Sequence, residues 1–116
     1  MGRLDQALVA AERAHKVAPW NSSSVAILAG LRKRTGDVAA AEALVSQFGD
    51  GSQYGAPIGY ALYHALCDQP GPAAEWLEKA IAQRDPRVFV FLHLPPGKMW
   101  QASSRWPAIA RLLNLP

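Results

Sequence analysis

Along most of this 116-residue chain, apolar positions recur three and four apart, the spacing of one helix face. A first helix is predicted from about Arg3 to Val17, with Asp5 near its positive end and Pro19 just past its stop. Asn21 or Ser22 can cap a second helix carrying Val25, Ile27, Leu28 and Leu31; it ends in the basic run Arg32-Lys33-Arg34 before Gly36. A third is expected from Asp37 to about Phe48, followed by a loop at Gly49-Asp50-Gly51-Ser52. Pro57 suits the first turn of a fourth helix, with Ile58, Tyr60, Ala61, Leu62, Ala65 and Leu66. Pro70-Gly71-Pro72 punctuates it, and Pro72 can open a fifth from Ala73 to about Gln83, closed by Asp85-Pro86. From Val88 the pattern changes. Val88 to Leu94 is apolar without a clear period and fits a short buried strand or helix. The helix is favoured, because no second strand exists to pair the backbone groups of the first. Pro95-Pro96-Gly97 reads as a turn, then a short helix at Lys98–Ala102 and a last one from about Arg105 to Leu113.

Composition supports helix over sheet: 34 residues are Ala or Leu and only 11 are Val or Ile. Half the residues are apolar and 18% are charged, which argues against disorder. One cysteine, Cys67, cannot build a disulfide framework. No apolar run approaches the roughly 20 residues of a membrane span, and the start of the chain lacks the build of a signal peptide. A cytoplasmic protein without membrane contact is expected.

An internal repeat underlies the helices. Ala7, Ala11 and Ala14 recur 34 residues later as Ala41, Val45 and Phe48, and then 32 residues later as Ala73, Leu77 and Ala80. Each trio occupies i, i+4 and i+7, one face of a helix, where small residues let neighbouring helices approach.

Candidate chemistry is sparse. His15, His64 and His93 show no metal-ligand spacing, so no metal or cofactor is implied. His64 and Cys67 share a helix face at i, i+3, but a small structural cysteine is the simpler reading. Glu75 and Glu78 read as a solvated face with Lys79. Asn21-Ser22-Ser23 reads as a helix cap rather than a glycosylation acceptor. Beyond Asp85 there are no acids and four bases, Arg87, Lys98, Arg105 and Arg111. With Arg32-Lys33-Arg34 they read as a solvated face or as a patch for an acidic peptide; nucleic acid would want denser charge interleaved with aromatics, so no nucleic-acid partner is expected. Trp76 and Trp106 read as core; Trp20, in a turn, either staples two repeats or faces a partner.

The 34-residue spacing, the Gly-x-x-x-x-Ala openings at Gly2 and Gly36, and the helix-ending Pro19 resemble tetratricopeptide repeats over about Gly2 to Pro86. Phe48 stands where Ala is usual in that family, Asp68 where Gly is usual, and the last copy is two residues short. The runs Ala74–Pro86 and Ser103–Pro116 are similar to the C-terminal end of repeat arrays in large bacterial signalling proteins, where the array follows a serine/threonine kinase, a nucleotide cyclase or a winged-helix domain. The kinase association fits best, although no catalytic motif of such a domain occurs here. The resemblance implies an all-α, right-handed superhelix: about two and a half repeats over 1–86, then a capping segment over 87–116. It also implies a non-catalytic protein-interaction module of a signalling protein. The first helix looks like the second half of a repeat, so Leu4, Leu8 or Val9 is expected to be exposed.

In such an array the first helix of each pair lines a concave groove. By this register Ala26, Gly30, Lys33 and Arg34 on the second helix, with Ile58, Leu62 and Leu66 on the fourth, would face a protein or peptide partner, Lys33 and Arg34 holding a carboxylate. The alternative is a purely structural segment that caps its parent or forms a homodimer.

Overall fold

Side-chain caps open two of the helices, and prolines in the first two positions open four others. A computed structural model, which describes residues 2–114, contains eight α-helices and, among those residues, no strand. They are α1 (Gly2–Val17), α2 (Ser22–Arg34), α3 (Val38–Val45), α4 (Ala56–Leu66), α5 (Pro70–Ala82), α6 (Arg87–Leu92), α7 (Pro95–Gln101) and α8 (Trp106–Leu112). Asn21 Oδ1 accepts the Ser23 N–H at 2.9 Å and starts α2; Asp37 accepts the Ala40 N–H at 3.2 Å and starts α3. After Val45 the chain tightens into a 3-10 turn over Ser46–Phe48, so the third helix is shorter than expected.

Prolines shift two boundaries. The fifth helix opens at Pro70, not at Ala73. Pro95-Pro96-Gly97 is not a free turn but the first turn of α7. Both corrections share one cause. The first amide positions of a helix have no intrahelical acceptor, so a residue lacking an N–H loses nothing there, and its φ is already helical. Leu94, immediately before Pro95, takes the extended backbone that a following proline favours (φ −105°, ψ 171°). The ambiguous Val88–Leu94 run is helical in α6 as far as Leu92, with Val88 and Leu92 turned inward, and leaves the helix at His93 and Leu94.

α2 and α4 form the centre of the packing. α2 touches α1, α3 and α4, and α4 in turn touches α5. The repeated small residues sit at these contacts where a neighbour exists: Ala41, Ala73 and Ala80 are fully buried. Gly30 marks the closest approach of α2 to α4, since a methyl group there would lie 2.7 Å from Leu66 Cβ. In α1 the trio divides. Ala11 is buried with Leu28 and Leu31, whereas Ala7 and Ala14 are exposed, because no described element covers that side. Leu4 and Leu8 are half-buried against the same small cluster, and Val9 is exposed.

The C-terminal helices close the structure. α6 and α7 pair, α7 lies against α4 and α5, and α8 touches α5. Trp100 of α7 is fully buried, and its indole N–H donates to the Ala61 carbonyl at 3.2 Å. Arg105 ties the start of α8 to α5, its Nε 2.6 Å from Glu78 Oε2 and an Nη 4.0 Å from Glu75, so Glu78 is a clasp residue while Glu75 stays on the solvated face. Trp76 and Trp106, expected in the core, are half-buried; Trp76 stacks on Tyr60 at 4.4 Å. Leu115 and Pro116, which end the expected cap, lie outside the described residues.

Candidate functional site

The groove expected from the repeat register is largely filled. Ala26, Gly30, Ile58 and Leu62 are in the core, not on an open surface. α2 and α4 pack directly together over Gly30, and α7 covers α4 through Trp100. The remaining three residues, Lys33, Arg34 and Leu66, do come together at the surface. They line a cleft of about 520 Å³ with Cys67, Asp68 and Met99. A second hollow of about 330 Å³ continues from Arg34 and Leu66 past Pro95, Pro96 and Lys98 on α7.

Two helix C-termini shape this cleft. α2 ends at Arg34 and α4 at Leu66, and both leave carbonyls without intrahelical partners. Cations in the last turn of α2 complement that negative end. Arg34 reaches across and donates to the Leu66 carbonyl at 3.4 Å. The Lys33 ammonium stands 5.7 Å from the Tyr63 ring centroid, an attractive cation–ring arrangement. Lys98 is exposed on the α7 rim. Three cations thus surround an apolar floor of Ala65, Leu66 and Met99, with Asp68 as the carboxylate of the lining. Three other bases are engaged elsewhere: Arg32 with Glu12 at 3.6 Å, Arg87 with Asp85 at 2.8 Å, Arg105 with Glu75 and Glu78.

Cys67 lines the cleft without being primed as a nucleophile. Burial pushes its thiol up, against the opposing pull of Lys33, the Tyr63 hydroxyl and Arg34. A reactive cysteine needs the reverse balance. His64 gives no assistance, since its Nδ1 bonds Gln69 Oε1 at 2.7 Å. Burial, and then the neighbouring Cys67 sulfur, push the Tyr63 phenol from 10.0 up to about 12. Both groups are neutral when protonated, and the folded chain holds these protons more tightly than the unfolded one. The stability they contribute is therefore complete below their ordinary values and is lost as pH rises, for Tyr63 between 10.0 and about 12. Urea midpoints should fall steeply over that range, and Tyr63→Phe should flatten the slope. An equal slope in the variant would place the alkaline sensitivity elsewhere.

Met99, Pro95, Pro96 and Lys98 were not legible as site residues. Their contribution depends on α7 crossing α4, a long-range contact; the local signal, a basic residue beside a methionine in a Pro-opened helix, does not say what it lies against.

Among the described residues no helix is long and apolar enough to cross a membrane. No protein-family model matches the chain, and no curated protein or solved structure matches it significantly.

Proposed function

We propose that this chain is a non-catalytic protein-interaction module that receives an acidic, partly apolar peptide in the cleft between α2, α4 and α7. The observation that carries the reading is the convergence of Lys33, Arg34 and Lys98 around an apolar floor, from two helices more than sixty positions apart in sequence. Carboxylates would pair with the cations, while aliphatic side chains cover Leu66 and Met99. The tetratricopeptide resemblance supports the same class of role. On it, α1 to α5 are repeat helices of a short right-handed superhelix, residues 87–116 are its cap, and the parent is a cytoplasmic bacterial signalling protein of the kinase type.

A fluorescein-labelled peptide alternating glutamate and leucine tests the cleft by anisotropy. Lys33→Glu with Arg34→Glu should weaken its binding at least about tenfold, as should Lys98→Glu combined with either. Lys33→Glu and Arg34→Glu also reverse charges that favour the negative end of α2, so melting temperatures should fall by a few degrees while the fold stays intact. Affinity should also fall as salt is added. Binding that is indifferent to all three substitutions would discard the proposal.

A second reading, assembly with another copy, is favoured by one observation: Ala7, Ala10, Ala14 and Val17 form an exposed stripe along α1. Sedimentation velocity separates the two readings. A dimer dissolved by Ala10→Arg belongs to the second, and a monomer that binds the peptide belongs to the first.

A further inference from the structure

A second pocket, of about 380 Å³, opens at the opposite end of α2, between the α1–α2 turn and the loop before α4. Trp20 and Tyr54 stand on its rim, 81% and 64% exposed. Its floor is apolar and buried, formed by Phe48, Val25 and Ala56. Two large aromatic side chains left in water beside a ready-made hollow are unusual unless something stacks on them.

The walls are held by hydrogen bonds. Arg87 Nε and Nη2 grip both oxygens of buried Asp85 at 3.0 and 2.8 Å, and Nη1 donates to Ser22 Oγ at 3.0 Å and Ser23 Oγ at 3.3 Å. Gln83 fixes the opposite side: its Oε1 accepts the Gly55 N–H at 3.2 Å, and its Nε2 donates to the Ser52 and Gln53 carbonyls at 3.4 and 3.3 Å. This frame has two consequences. The pocket is preorganised, so a ligand has little loop ordering to offset. Its charges are also satisfied internally: Arg87 and Asp85 neutralise each other, so no unpaired charge in the lining selects an ion.

What remains for a ligand is aromatic surface, the indole N–H of Trp20, the Tyr54 hydroxyl and the side-chain amides of Gln47 and Gln53, for which no hydrogen bond is formed among the described residues. The indole and amide N–H groups of such a rim suit a ligand with apolar rings and many carbonyl acceptors. We propose that the pocket binds a proline-rich segment in the polyproline II conformation, its pyrrolidine rings against Trp20 and Tyr54 and its carbonyls accepting from the indole and amide N–H groups. Such a segment lacks N–H groups at its prolines, and its backbone carbonyls have no internal partners. A saccharide fits less well, because its many hydroxyl donors call for acceptors such as carboxylates, and the lining contains none. The site is independent of the basic cleft, about 18 Å away along α2, and goes beyond the role proposed for it.

Capped hexaproline, titrated into the full chain while the tryptophan indole N–H signals are followed by NMR, tests this. Trp20 should shift saturably, and its signal is assigned by its loss in Trp20→Ala. Trp20→Ala and Tyr54→Ala should each weaken binding by about tenfold or more, while Trp20→Phe, which keeps the ring but not the donor, should weaken it less. Because both residues are exposed, the variants should melt within about 3 °C of the parent. Lys33→Glu with Arg34→Glu should leave hexaproline binding intact. The proposal is overturned by the absence of a saturable Trp20 shift, by equal binding of a capped Gly-Ser hexapeptide, by binding insensitive to both alanine variants, or by preferential binding of cellohexaose.

Discussion

Replacing Trp100 with alanine should lower stability by about 3–5 kcal/mol, the range for removing a fully buried tryptophan side chain. For a chain of this size that corresponds to a fall of roughly 12–20 °C in melting temperature, a large part of the ~5–15 kcal/mol that holds a domain folded. The side chain fills the space between α7 and α4 and also donates to the Ala61 carbonyl. Truncation leaves a cavity and partly releases α7, so the filled groove over Ile58 and Leu62 should begin to admit apolar dyes. Trp100→Phe keeps most of the volume and loses only the donor, and should cost about 1–2 kcal/mol. Thermal and urea unfolding followed by circular dichroism measure both. If Trp100→Ala cost under about 1 kcal/mol, α7 would not be seated on α4 as described.

Gly97→Ala should have the second largest effect, and its sign is informative. In an unobstructed helix this change stabilises by up to about 1 kcal/mol through backbone entropy. At position 97 the added methyl would fall 2.0 Å from the Leu92 carbonyl oxygen and 2.5 Å from that of Phe91. Backbone atoms cannot rotate aside, so the α6–α7 pair must open, at a cost of about 3 kcal/mol or more. Combined with Trp100→Ala the loss should be less than the sum, because both changes loosen the same helix. A stabilised Gly97→Ala protein would contradict the close packing of α6 on α7.

Local chemistry in the sequence carried far. The cap at Asn21, the start of a helix near Asp37, the stops before Pro19 and after Arg34, and the helical reading of the run from Val88, as far as Leu92, all depend on groups within one or two turns, and the structure follows them. The small-residue repeat likewise located Ala41, Ala73 and Ala80 in the core. The candidate site was harder to read. Ala26, Gly30, Ile58 and Leu62 share a face with Lys33, Arg34 and Leu66, and spacing alone cannot say where a covered face ends and an open one begins. That depends on α7, whose partner lies nearly forty positions earlier. Trp100 and Trp106 illustrate the same limit: both are aromatic and both lie in short helices, yet one is enclosed and the other half-exposed, because their different seats on α4 and α5 are not encoded nearby.

The contact of α7 with α4 has a kinetic counterpart. α1 through α5 meet mainly neighbours in sequence, and such short loops close quickly and zip from one hairpin to the next. The final clasp must wait for a distant stretch of chain to return, as must the Arg87 bonds to Ser22 and Ser23. Opening should run the other way: α7 lets go before α2, α4 and α5 separate, and its amides exchange with solvent earlier than theirs. The Trp100 indole, shielded in the closed state, then becomes a built-in clock for the first step of unfolding.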